Sequence, residues 1–181
     1  MSLQLLEIVP ASASKDAVTR LIATVSEAVP AAGAEVVESQ VTADHGRVFV
    51  IVETEDTAGD ADGLAATVRS AAGDAAAEVT GPDAVRLVGA ELEDLKRLRG
   101  DAQYLVEWDI PAEITMEQYL ARKKANSPKY AEVPEVSFLR TYVREDTAKC
   151  LCFYNAPDEE SVERARQAVG TPFDRLFKLN V

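Results

Sequence analysis

Apolar and polar positions along this chain switch between a period near two and a period near 3.6, and they do so in the same order twice. Residues 3–9 form a strand-like run closed by Pro10. Ser14 then stands as an N-cap ahead of Val18, Leu21, Ile22 and Val25, whose i, i+3, i+4, i+7 spacing predicts an amphipathic helix. Pro30 and Gly33 end it. Residues 35–42, the turn Ala43-Asp44-His45-Gly46 and residues 47–53 predict a hairpin rich in β-branched side chains. An acidic, glycine-containing connection over residues 54–63 leads to a weaker helical stripe of Leu64, Ala65, Val68, Ala71 and Ala72. The fourth strand falls within residues 79–88.

After residues 89–101, where Leu92, Leu95 and Leu98 sit among charges and predict a short helical connector capped by Gly100, the order begins again. Residues 103–109 predict a strand. Thr115 with Gln118 makes a capping box for a helix whose buried edge is Met116, Tyr119 and Leu120, stopped at Ser127-Pro128. Residues 136–144 and 149–154 predict a hairpin across Glu145-Asp146. Asp158 caps a helix carrying Val162, Ala165 and Val169, Gly170 and Pro172 follow it, and residues 176–180 close the unit. The expectation is two domains at residues 1–89 and 102–181, each a βαββαβ unit of α+β class, joined by a linker over residues 90–101. Aligned at an offset of about 102, Val48, Val50 and Val52 stand opposite Cys150, Cys152 and Tyr154, and Glu7 stands opposite Glu107.

The runs Tyr104-Leu105-Val106-Glu107-Trp108-Asp109-Ile110-Pro111, Leu139-Arg140-Thr141-Tyr142-Val143, Cys152-Phe153-Tyr154-Asn155-Ala156-Pro157-Asp158-Glu159-Glu160 and Gly170-Thr171-Pro172 resemble a family of short bacterial domains, formerly a domain of unknown function. The resemblance covers residues 102–181, and the first copy shares only the layout. It implies a ferredoxin-like fold, a tendency to dimerise sheet to sheet, and binding of a divalent transition metal such as nickel. A tandem chain of such units is expected to place its two antiparallel sheets face to face, as a monomeric pseudo-dimer of the α/β-barrel type or as a homo-oligomer.

Composition narrows the partners. The net charge of −12 lies mainly in residues 1–100, with 8 basic against 17 acidic side chains, compared with 11 against 14 in residues 101–181. An acidic surface repels phosphate backbones and anionic lipid heads, so neither nucleic acid nor a membrane is an expected partner; a small molecule or a metal ion is. No window approaches 18 uninterrupted apolar residues, and two cysteines one residue apart are not a secreted disulfide framework, so a reducing, cytoplasmic setting is expected.

Strand parity sets Tyr104, Val106, Trp108, Leu139, Val143, Leu151 and Phe153 toward the helices. It leaves Leu105, Glu107, Asp109, Phe138, Arg140, Tyr142, Cys150, Cys152 and Tyr154 on the other face. That face gives two readings. In one it packs against the first copy, with Arg140 paired to Glu107 or Glu38. In the other it forms a cleft between the sheets, where Glu107, Arg140, Tyr142, Cys152 and Tyr154 bind a ligand. Two thiols at i and i+2 on a strand point the same way and suggest a soft-cation site of Cys150, Cys152 and Glu107. The lone histidine, His45, reads as a solvated turn residue outside the matching copy. No Ser-His-Asp set or phosphate loop occurs, so binding is favoured over catalysis. The enzymatic alternative is a cofactor-independent isomerase or monooxygenase using Glu107 and Tyr142, by analogy of fold.

Overall fold

Residues 1–55, 60–98 and 101–180 are described in the computed structural model; the connection at residues 56–59 and the expected Gly100 cap lie outside them. Contacts divide the chain into one unit of Met1–Val85 with Leu95–Gly100 and Asn180, and another of Arg86–Asp94 with Asp101–Leu179.

The first unit runs β1 (Ser2–Pro10), α1 (Lys15–Ala28), β2 (Ala34–Val41), β3 (Val48–Thr54), α2 (Asp60–Ala72) and β4 (Ala76–Val88). Its strands lie in the order β2-β3-β1-β4, every neighbour antiparallel. Ser14 caps α1 by accepting from the Ala17 N–H. The predicted stripe of Val18, Leu21 and Val25 packs with Leu64 and Val68 of α2 onto Leu6, Ile8, Val48, Val50 and Val52. Strand β4 begins three residues earlier than the sequence predicts, because Glu78 and Ala76 take the ladder positions opposite Val9 and Pro10. A neighbouring strand overrides the weak β-propensity of alanine and glutamate there.

After β4 comes α3 (Leu92–Leu98). Its Leu95 is buried, and its Lys96 pairs with Glu53 and, at 3.8 Å, with Glu35.

The second unit repeats the element order with β5 (Tyr104–Asp109), α4 (Met116–Asn126), β6 (Ser137–Arg144), β7 (Lys149–Asn155), α5 (Glu159–Ala168) and β8 (Arg175–Lys178). Its strands lie β6-β7-β5-β8, again antiparallel. The capping box is formed in both directions. The Thr115 hydroxyl accepts from the Gln118 N–H at 3.2 Å, and the Gln118 side chain accepts from the Thr115 N–H at 3.0 Å. Thr115→Ala is therefore expected to lower the stability of this unit by about 1 kcal/mol, read as a shift in its urea midpoint. The fold is thus α+β, with a ferredoxin-like βαββαβ order in each unit. No helix among the described residues is long and apolar enough to cross a membrane.

Candidate functional site

Strand β7, flanked by β6 and β5 in the second unit, decides where chemistry is available. It pairs with β5 so that Val106 faces Cys152 and Trp108 faces Cys150. Directly paired residues share a sheet face. Val106 and Trp108 belong to the core beneath α4 and α5, so Cys150, Cys152 and Tyr154 belong there too. The sequence placed these three on the opposite face, with Leu151 and Phe153 toward the helices; the pairing register reverses that assignment. A bulge at Leu139 corrects β6 as well. One extra residue between Phe138 and Arg140 turns Phe138 toward the helices and leaves Arg140 and Tyr142 on the far face.

The candidate site residues therefore form two sets. Glu107, Arg140 and Tyr142 share the far face with Leu151 and Phe153. Both oxygens of the fully buried Glu107 carboxylate are held: Oε1 accepts from Lys149 Nζ at 3.1 Å, and Oε2 accepts from Arg175 Nε. Arg175 also grips Asp109 with two bonds of 2.7 and 3.0 Å, which holds that carboxyl below its ordinary range. The Arg140 guanidinium lies 4.7 Å over the Phe153 ring, and Tyr142 meets the same ring edge-on. This cluster has the form of an internally satisfied ion-pair network.

The second set is cysteines and phenols under the helices. Cys150 and Cys152 bring their sulfurs to 4.0 Å. Around Cys152, Thr141 donates from 3.2 Å and Arg166 Nη1 lies at 3.6 Å. Arg166 is only 3% exposed. It also donates to the Tyr154 hydroxyl at 3.2 Å and to the Pro172 carbonyl at 2.7 Å, while its Nε is buried without a partner. Tyr130 and Tyr154 join hydroxyl to hydroxyl at 2.7 Å, and Tyr130 stacks on Phe138.

These contacts set the charge states. The hydrogen bond from Cys150, with Lys123, Arg166 and Thr141 nearby, holds the Cys152 thiol well below its usual range. The same bond and burial push Cys150 well above it. Burial raises Tyr119 and Tyr154, and pushes Tyr130 up to about 12. Burial also works against the Arg166 charge, but the Cys152 thiolate and Tyr154 outweigh it and keep the guanidinium charged.

A pocket of ≈ 20 Å³, room for a solute a little larger than one water, opens on this set. Cys150, Tyr119 and Tyr130 form part of its wall, and its charged lining residues are Arg122, Lys123 and Arg166, all cationic. Arg122 and Lys123 are steadied over Trp108 and Phe138 at 5.8 and 4.4 Å. The sequence reading missed Arg166. It lies four residues after Val162 and three before Val169, on the buried edge of α5, and that spacing could have found it.

The expected metal set is not assembled. Cys150 and Cys152 lie on one face and Glu107 on the other. Among the described residues, no group of three or more histidine, cysteine, aspartate or glutamate side chains is placed to hold a metal ion. The thiols are completed instead by phenols and a guanidinium, a donor set that does not suit nickel. His45 occupies the β2–β3 turn at φ 59° and is half-buried rather than fully solvated.

Residues 104–179 match the profile of the nickel responsive protein SCO4226-like family. The match spans less than half of the chain. Among solved structures, SCO4226 from Streptomyces coelicolor A3(2) is 18% identical, with 44% of this chain and 98% of that one covered at a TM-score of 0.38. Two likenesses run the full length at 11% identity. The "putative monooxygenase" from Lactobacillus acidophilus NCFM covers 99% of this chain and 92% of its own, at a TM-score of 0.51. The "putative chlorite dismutase" TA0507 covers 100% and 96%, at 0.56. At such identity these show the fold alone, that of ferredoxin-like dimeric α/β-barrel proteins. No curated protein matches.

Proposed function

We propose that this chain is a binding protein whose second unit takes a small anionic ligand in the pocket beneath α4. The observation that carries the reading is the buried guanidinium of Arg166 in the wall of a pocket whose other charged lining residues, Arg122 and Lys123, are also cations. The Asn126 amide adds hydrogen-bond donors at the opening, beside the Tyr119 and Tyr130 rings. A ligand anchored here needs acceptor oxygens and no more than a few buried atoms, as a carboxylate end has. The family's name supports a metal ion as the other class of ligand. The guanidinium and phenols around Cys150 and Cys152, with no third metal-ligating side chain among the described residues, argue against nickel at this pocket. The isomerase or monooxygenase alternative rests on likeness of fold, and its acid–base pair includes a Glu107 whose oxygens are both taken by cations.

An amide NMR titration at constant ionic strength tests the reading. Sodium formate is expected to shift the resonances of Tyr119 to Tyr130, Gly170 and Thr171, whereas neutral formamide leaves them in place. Absence of a formate effect, or paramagnetic broadening by nickel centred on Cys150 and Cys152, would overturn it.

A further inference from the structure

Three cations line the pocket beneath α4, and among the described residues none of them pairs with a carboxylate. Arg122 and Lys123 lie over the rings of Trp108 and Phe138, and Arg166 bonds a sulfur, a hydroxyl and a carbonyl. Acidic side chains outnumber basic ones by 31 to 19 in this chain, so the missing counter-charges are not for want of carboxylates. We propose, on the basis of the anion-binding reading above, that the pocket takes a short dicarboxylate end-on, with one carboxylate inside on Arg166 and the other at the rim on Arg122 and Lys123.

Depth separates the two ends. Arg166 is buried, Lys123 is half-buried and Arg122 is exposed. Arg166 uses Nη1 for Cys152 and Tyr154 and one Nη2 proton for Pro172. Its Nε–H, buried without a partner, and a second Nη2–H remain uncommitted. These two donors lie along one edge of the planar guanidinium and match the two oxygens of a carboxylate. Arg86 holds both oxygens of Glu145 with the same edge, through Nε at 3.2 Å and Nη2 at 2.9 Å. A buried donor left unfilled is costly, and a carboxylate on Arg166 would fill it while adding the missing negative charge.

Volume and rim together set the shape of the ligand. The ≈ 20 Å³ interior admits a flat carboxylate but not a tetrahedral oxyanion such as sulfate. Arg122 and Lys123, consecutive on α4, present their charges nearer solvent, where screening weakens each contact. The inner carboxylate therefore anchors the ligand. The outer one selects it, because a tether makes the second contact intramolecular and raises its effective concentration. The rings of Trp108, Tyr119 and Tyr130 give the few methylenes between the two ends an apolar wall. A monocarboxylate meets the inner set only.

The test uses the full chain, titrated at constant ionic strength and followed by its amide resonances. Malonate, succinate and glutarate are compared with monomethyl succinate and with sulfate. At least one of the dicarboxylates is expected to bind about tenfold tighter than the monoester, the scale of two exposed ion pairs made by one tethered group. Sulfate carries the same charge on a single centre and should bind at least about tenfold more weakly than that dicarboxylate. In the double variant Arg122→Gln and Lys123→Gln the dicarboxylate should fall to the affinity of the monoester, whose own binding changes by no more than about twofold. A monoester or a sulfate that binds as tightly as every dicarboxylate, or a preference that survives in the double variant, would overturn the proposal and leave anion binding standing. No binding of any carboxylate would overturn both. The wild-type comparison decides the matter even if the variant does not fold.

Discussion

Raised above pH 10, the second unit is expected to unfold in one cooperative step, its buried phenols ionising only as the sheet is lost. Tyr119, Tyr130 and Tyr154 are all held above the ordinary phenol range by burial, with Tyr130 at about 12. In the unfolded chain each gives up its proton near pH 10, while the folded unit keeps it. The unfolded state then binds fewer protons, so stability is fully present below pH 10 and falls as pH rises. Each group contributes about 1.4 kcal/mol per pH unit, so three lower the stability by about 4 kcal/mol per unit between pH 10 and about 12. The raised Cys150 adds a further decline from about pH 8.5, where an unfolded thiol ionises. A typical domain stability of about 5–15 kcal/mol is largely consumed within about two pH units. Tyrosinate absorbance and far-UV circular dichroism should therefore change together. Phenolate appearing gradually with the circular dichroism intact would show that these hydroxyls are not buried as described.

Arg166→Met is expected to destabilise the second unit by about 3 kcal/mol. Removing one partner of a buried ion pair leaves the other charge uncompensated, at about 3–5 kcal/mol. The lower end applies because Cys152 can escape by taking up a proton. Methionine fills the apolar part of the space but donates nothing to Cys152, to the Tyr154 hydroxyl or to the Pro172 carbonyl, all of which Arg166 now serves. Arg166→Lys, which keeps the charge but not the planar fork, should recover part of the loss. The pH dependence supplies a second readout. A thiol depressed in the folded state adds stability that is present above about pH 8.5 and is lost as pH falls through the folded value. The methionine variant should lose only the part of that dependence that Arg166 supplies, because the Cys150 hydrogen bond and Lys123 remain. Urea midpoints measured at unchanged slope decide the matter, and a loss below about 1 kcal/mol would mean that Cys152 is a neutral thiol in the wild type.

The amino-acid sequence determined what depends on near neighbours along the chain. The Val18-Leu21-Val25 stripe, the Ser14 and Asp158 caps, the Thr115–Gln118 capping box and both hairpins were legible because each is formed by residues a few positions apart. The element order βαββαβ and the α+β class followed from them. The tertiary structure alone decided which face of β7 carries the sulfurs. That face is fixed by Val106 opposite Cys152 and Trp108 opposite Cys150, partners more than forty residues apart, and by one inserted residue at Leu139. A strand's own alternation leaves its two faces equivalent until a register is chosen, and a shift of a single residue exchanges them. The expected union of Glu107 with the two cysteines failed for that reason. Arg166 came to lie beside Cys152 because α5 folds back across the sheet, and that long-range packing made a thiol pair into a charged site.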